Sequence, residues 1–366
     1  MGSHNFINNV SSVFFIVALL LILTMFFPMQ SFAAIGGVCS NCHTMHNSQN
    51  GAGAGSGSGP NKYLMLGLSG YSDPCVGCHS SSVANETKKN LNGSIVPIVL
   101  NTVAPSAPVA NNMLAGGNFY WVSKDSVSWD KYGHNVYGIV GTDRNLVEAP
   151  GTLDGCGAGE CHTTLSSATN SRNKPGCQGC HFRVMHHVID SSPVNSNTGY
   201  RFLWGHTFSG GNYTAWVEGV EDSDWEATKS SADHNFYKGT STAYLAGANG
   251  LANSKSISAF CSGCHGVFHN ENGGPTSPWT RHPIDIALPT TGEYNSYDPT
   301  TSYSTEAPVS WQNPTAPVRS EARVMCMSCH RPHGSDQPDM LRWDYNTMVA
   351  GGGGSGGCFS CHTTKD

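Results

Sequence analysis

The chain is short of charge and short of grease. Of its 366 residues only 12% are charged and 38% hydrophobic, while glycine alone accounts for 43. Such a composition struggles to bury enough apolar surface to offset the entropy of ordering the chain. It leaves two options, disorder or folding around something that is not protein. No basic run is present, the first Lys or Arg is Lys62 and the net charge is -6, which excludes a nucleic-acid partner. No repeat of fixed length recurs, which argues against a solenoid. No cysteine is left over from the pattern set out below.

One long apolar run exists, Val13 to Phe27, followed by Pro28 and by Ser31-Phe32-Ala33. The run is short for a membrane span, and the small residues at 31 and 33 fit an export cleavage site. Residues 1–33 therefore read as a signal peptide, although its n-region carries His4 and no Lys or Arg. Residues 34–366 would form the exported domain.

All 14 cysteines fall in pairs followed directly by histidine. The motifs are Cys39 and Cys42 with His43, Cys75 and Cys78 with His79, Cys156 and Cys161 with His162, and Cys177 and Cys180 with His181. They continue with Cys261 and Cys264 with His265, Cys326 and Cys329 with His330, and Cys358 and Cys361 with His362. Six are C-x-x-C-H and the third is C-x4-C-H. Cysteines at i and i+3 share one face of a helical turn, and a histidine at i+4 continues it. Two thiols can then add to the vinyl groups of one haem while the imidazole reaches its iron. This is the attachment signature of c-type haem. In the third motif Gly157 and Gly159 ease the looping out of two extra residues. Disulfides or zinc would also use cysteine pairs, but neither accounts for a histidine after every second cysteine. Seven covalent haems c are expected.

Each iron has a second axial position. Nine histidines lie outside both the motifs and the signal: His46, His134, His186, His187, His206, His234, His269, His282 and His333. Nine candidates for seven positions predict bis-histidine, six-coordinate, low-spin haems of low potential, with no need for methionine ligands. His46, His269 and His333 sit one helical turn past a motif histidine, on the same side of that haem. They must serve a different haem, which draws neighbouring haems together. Of His186 and His187, adjacent in sequence, only one is expected to bind iron.

The fold class that follows is a haem-cored multihaem cytochrome c, mostly coil, with single helical turns at the motifs and little sheet. A helix is expected near Pro338–Thr347. The apolar, proline-bearing segment Val96–Ala110 suits extended surface strands. The glycine tracts Gly51–Gly59 and Gly351–Gly357 read as linkers, or as backbone packed on a haem edge. Asp222, Asp224 and Glu226 read as a solvated acidic turn, with cation binding the alternative.

Several longer words are familiar: Cys39-Ser-Asn-Cys42-His43-Thr-Met-His46, Gly133-His134-Asn135, Arg281-His282-Pro283, Cys326-Met-Ser-Cys329-His330-Arg-Pro-His333 and the closing Cys358-Phe-Ser-Cys361-His362. In this order they resemble outer-surface multihaem c-type cytochromes of metal-reducing bacteria that polymerise into extracellular nanowires. The stretches between them are not recognisably alike. The resemblance implies a stacked haem chain through each subunit, with His46 crossing to a haem of the next copy. It further implies electron acceptors such as other cytochromes, metal oxides or partner cells. The chain departs from the hexahaem pattern by having both the Cys156 and Cys177 motifs where that pattern has one. The function expected is extracellular electron transfer, with a monomeric periplasmic or surface shuttle as the alternative. A multihaem reductase is disfavoured, because catalysis would need an open iron position and the histidine supply exceeds demand.

Overall fold

The computed structural model describes residues 38–53, 64–91, 93–146, 165, 175–181, 184–187, 199–203, 216–240, 255–265 and 282–365. The signal segment, the Cys156–His162 motif, His206 and His269 lie outside them. Regular structure is sparse, as the composition predicts. Two short α-helices occur among the described residues, α1 (Ile257–Ser262) and α2 (Cys326–Cys329), and both carry attachment cysteines. Four other described motifs form 3-10 turns, at Cys39–Asn41, Pro74–Gly77, Gly176–Gly179 and Gly357–Ser360.

All six described motifs close the same hydrogen bond. The motif histidine N–H donates to the carbonyl of the first cysteine, at 2.9 Å for His43, His181 and His265, 3.0 Å for His79 and His362, and 3.1 Å for His330. That i to i+4 bond is one α-helical turn. It puts both thiols and the imidazole on one side, as the spacing requires. In the fifth motif the turn continues past the end of α1, where the Cys264 N–H donates to the Cys261 carbonyl at 3.1 Å.

The strands are two to four residues long. Lys88–Leu91 pairs antiparallel with Ser94–Pro97, and Ser80–Ser81 runs parallel to Leu100–Asn101. A three-stranded sheet has Phe236–Lys238 at its centre, antiparallel to Gly219–Val220 and parallel to Ser310–Trp311. Ser48–Gln49 and Ala52–Gly53 form a small hairpin. The segment from Val96 is extended, as expected; most of residues 102–108 are exposed, but its first part is not superficial. Val96, Ile98 and Leu100 are buried, because the strand passes beneath the second motif and joins a core with Val76 and Val122.

Among the described residues apolar packing falls into three small clusters, and attachment cysteines pack against each: Cys180 on the cluster around Tyr200 and Met325, Cys177 on that around Val76 and Leu100, and Cys361 on that around Trp311 and Tyr303. Much of the remaining interior is polar. Arg331 is fully buried and donates to the Leu114 and Ala115 carbonyls and to Glu306. Arg342 donates to the carbonyls of Met327, Thr305 and Ala115. These guanidiniums tie irregular backbone together where helix and sheet ladders would otherwise satisfy the carbonyls.

Two expectations need correction. No helix spans 338–347; Pro338–Met340 and Tyr345–Thr347 are separate 3-10 turns, and the first is broken by the left-handed φ of Asp339. The Asp222–Glu226 turn is not solvated. Asp222 and Glu226 are buried, Asp222 accepts the N–H groups of Asp224 and Glu226, and Glu226 accepts both the backbone and the side-chain N–H of Asn235. Asp222 binds the turn's own N–H groups, and Asp224 pairs with Lys88 at 2.7 Å. The tract 351–357 stands partly free and partly packed: Gly351 and Gly353 face open space, whereas a side chain at Gly357 would run into Met348 and Trp343. Among the described residues no helix is long and apolar enough to cross a membrane.

Candidate haem sites

The motif turns set one imidazole each, and the irregular chain brings a second to face it. His43 lies opposite His187 with ring centres 6.2 Å apart, and His79 opposite His186 at 6.0 Å. His181 faces His333 at 6.0 Å, His265 faces His134 at 6.0 Å, and His362 faces His282 at 6.2 Å. Every pair joins one motif histidine to one histidine outside the motifs. An imidazole nitrogen sits about 2.0 Å from a metal it binds and about 1.2 Å from its own ring centre, so two rings across one metal stand about 6 Å apart. The interplanar angles run from 17° to 87°. Two ligand rings that share an axis are free to rotate over that whole range. The pairs therefore fit an iron between them.

In five of the ten paired rings, and in His330, the other ring nitrogen is held by a carbonyl. Nδ1 of His43 lies 2.8 Å from the Leu64 carbonyl, that of His79 2.9 Å from Pro97, and that of His181 2.7 Å from Arg201. Nδ1 of His134 reaches the Pro332 carbonyl at 2.8 Å, His282 reaches Pro283 at 2.9 Å and His330 reaches Asp339 at 2.8 Å. An Nδ1–H donated to a carbonyl leaves Nε2 as the free lone pair and fixes the plane of the ring. Burial favours the same neutral form. It pushes His79 down to about 4 and His333 to about 3, and it also lowers His134, His181 and His282.

The crossings are long-range. His333, three residues past the sixth motif and followed by Gly334 with a φ of 122°, lies with Phe119 at 4.9 Å and His181 at 6.0 Å. It thus avoids the haem position beside His330, as its spacing demands. Both His186 and His187 face motif histidines. His234 is buried between Tyr303, at 3.5 Å and nearly parallel, and Phe236 at 4.3 Å. No described motif histidine faces it. Among the described residues no second imidazole stacks opposite His330 either. His46 is exposed, with φ 54°, beside an exposed Met45.

The twelve described attachment cysteines, Cys39, Cys42, Cys75, Cys78, Cys177, Cys180, Cys261, Cys264, Cys326, Cys329, Cys358 and Cys361, are thiols and not disulfides. Their sulfur atoms occupy the places of thioether sulfurs in a haem-loaded chain. Cys156 and Cys161 lie outside the described residues. The thiols neighbour one another from motif to motif. Burial pushes Cys78 up to about 12, with Cys42 beside it adding to the rise. Burial also raises Cys329 to about 12, and Cys180 and Cys361 to about 11. Cys261 is raised too, chiefly by its hydrogen bond with Cys326 and then by burial, with Cys180 and Cys264 adding to the rise.

The family model for a doubled CXXCH motif matches residues 316–366, which hold the last two motifs. C-type cytochrome OmcS of Geobacter sulfurreducens is 27% identical over 87% of this chain and 83% of its own. A solved structure titled as OmcS nanowires from that organism superposes with a TM-score of 0.50 at 21% identity, covering 91% of both chains. The chain folds as an OmcS-like multihaem cytochrome. A second structure, titled as an outer membrane cytochrome S filament from the same organism, covers 86% of this chain and 85% of that one, with a TM-score of 0.46 and 22% identity. The OmcS-like fold consists mostly of loops, so the matched motifs and the histidine pairs together describe the site more fully than any helix or strand does.

Proposed function

We propose that this chain is an extracellular electron conduit of seven bis-histidine c-type haems. The observation that carries the reading is the set of imidazole pairs at 6.0–6.2 Å, each joining a motif histidine to one from outside the motifs. Bound haem supplies the one-electron centre; the chain's own residues fix and enclose it. In the assignment, His43 pairs with His187, His79 with His186, His181 with His333, His265 with His134 and His362 with His282. His162 and His330 take their partners from the remaining histidines. The two cysteines of each motif, from Cys39 and Cys42 through Cys261 and Cys264 to Cys358 and Cys361, anchor the macrocycles.

A site with both axial positions filled has nowhere to bind a substrate, so the chain carries electrons and is not an enzyme. Likeness to OmcS supports assembly of copies into a filament, with the exposed His46 ligating a haem of the adjacent copy. Export would proceed by the signal at 1–33, and 34–366 would form one heptahaem domain. Metal oxides, other cytochromes or partner cells would be the acceptors.

Electron microscopy of protein sheared from cells tests the assembly. Filaments with a regular subunit repeat are expected, and His46→Ala should release monomers. Discrete particles under native conditions would replace the conduit by a monomeric shuttle. A prominent five-coordinate, high-spin signal in the purified protein would overturn the bis-histidine assignment.

A further inference from the structure

The second and fourth motifs meet at a single carboxylate. Asp73 is buried. Its Oδ1 accepts the Cys75 N–H at 2.9 Å, and its Oδ2 accepts the Cys177 N–H at 3.0 Å from 104 residues away. One side chain thus caps two attachment turns, Pro74–Gly77 and Gly176–Gly179. The backbone is shaped to bring it there. Ser72 N–H donates to the Gly138 carbonyl at 2.9 Å, and a side chain at either Gly138 or Gly176 would collide with Asp73. Gly176 also holds a φ of +70°, which glycine tolerates best. The sulfurs of Cys75 and Cys177 and a carboxylate oxygen of Asp73 all lie within 4.8 Å of one another. In the haem-loaded protein these sulfurs are thioethers, so the trio is not a vacant metal site.

We propose that Asp73 is a positioning residue that clamps the second and fourth attachment turns into direct contact, making their haems immediate neighbours in the electron path with the third motif not between them.

The remaining junctions run in sequence order. Cys42 lies beside Cys78. Cys180 packs on the cluster that contains Ile257 and Ala259 of α1, the helix that bears Cys261. The Cys326 N–H reaches Ser258 Oγ at 3.4 Å, and Cys329 lies within electrostatic reach of Cys358 and Cys361. The described motifs therefore form one line: first, second, fourth, fifth, sixth and seventh. The line is continuous without the third, which accounts for how a seventh haem is added to a six-haem pattern. The inference rests on the reading that the motifs carry haem in a relay.

Cryo-electron microscopy of the haem-loaded protein tests it directly. The macrocycles on Cys75–Cys78 and Cys177–Cys180 are expected edge to edge, with nothing but protein at their contact. A macrocycle on Cys156–Cys161 standing between them would overturn the proposal. Asp73→Asn supplies a second readout, since it removes a negative charge beside both haems and turns an amide toward one of the two N–H groups. In a potentiometric titration two haem transitions should move to higher potential, with haem count by intact mass unchanged. Movement of one transition, or of none, would show that Asp73 does not face both sites. Missing haems or five-coordinate irons in the parent protein would instead defeat the relay reading itself. If the variant does not accumulate, the microscopy decides alone.

Discussion

Replacing His186 or His187 probes the geometry most sharply, because the sequence makes one of them look expendable. His186→Ala should leave the haem on Cys75–Cys78 five-coordinate, and His187→Ala the haem on Cys39–Cys42. The double variant should lose both ligands, additively. Neither residue can cover for the other. Their Cα atoms are about 3.8 Å apart, whereas an iron–imidazole bond is about 2.0 Å long, so a one-residue slip exceeds the whole bond. The partner rings are already at 6.0 and 6.2 Å, with no slack to absorb it. High-spin signals in absorption and low-temperature electron paramagnetic resonance, scaled to haem count by mass, should equal one haem in each single variant and two in the double. The thioether bonds should survive, since the cysteines are untouched. A single variant with the spectrum of the parent would refute the assignment. His186→Met keeps a sixth ligand and should instead raise one potential.

His333→Ala should uncouple the haem on Cys177–Cys180 and leave the sequence-adjacent haem on Cys326–Cys329 six-coordinate; in a Cys177→Ala/Cys180→Ala background the same substitution should add no high-spin signal. Glu306 lies 2.8 Å from Arg331 and 3.2 Å from Lys229. Burial works against its ionisation, but Arg331 and Lys229 hold its pKa below the ordinary 4.5. Its contribution is therefore present above pH 4.5 and lost as pH falls through the lower folded value. Glu306→Gln should cost about 1–2 kcal/mol near neutral pH, after allowance for its partial exposure, and flatten the acid limb of thermal stability; an unchanged acid limb would count against the pair. Leu100→Ala empties a fully buried site against Val76 of the second motif and should cost about 2–5 kcal/mol, read as a lower denaturant midpoint.

The attachment sites were legible because their chemistry is local. A spacing of three and then one residue needs only a single turn, and all six described motifs form it. The same steric argument kept His333 away from the haem beside His330. The pairing of ligands was not legible, since it depends on loops that carry no periodicity. Spacing from the motifs does not distinguish His134, which faces His265, from His234, which is stacked on Tyr303. The buried guanidiniums of Arg331 and Arg342 were likewise invisible, because a charged residue normally reads as surface. Burial of the Asp222–Glu226 turn was missed for the same reason: its carboxylates are satisfied by backbone N–H groups, which a sequence does not reveal.

The wide separation of paired histidines along the chain has a consequence for how the molecule is made. A polypeptide that enters its compartment N-terminus first presents His134 before the Cys261 motif and His282 before the Cys358 motif. Those two sites can be completed as soon as their cysteines have been modified. If those rings are the ligands, the first two motifs would wait for residues 186 and 187, and the fourth until His333 emerges near the end. Under the proposed pairing, maturation would be staged by the order of emergence, and a truncated chain lacking its last tenth would strand an incomplete centre in the middle of the protein.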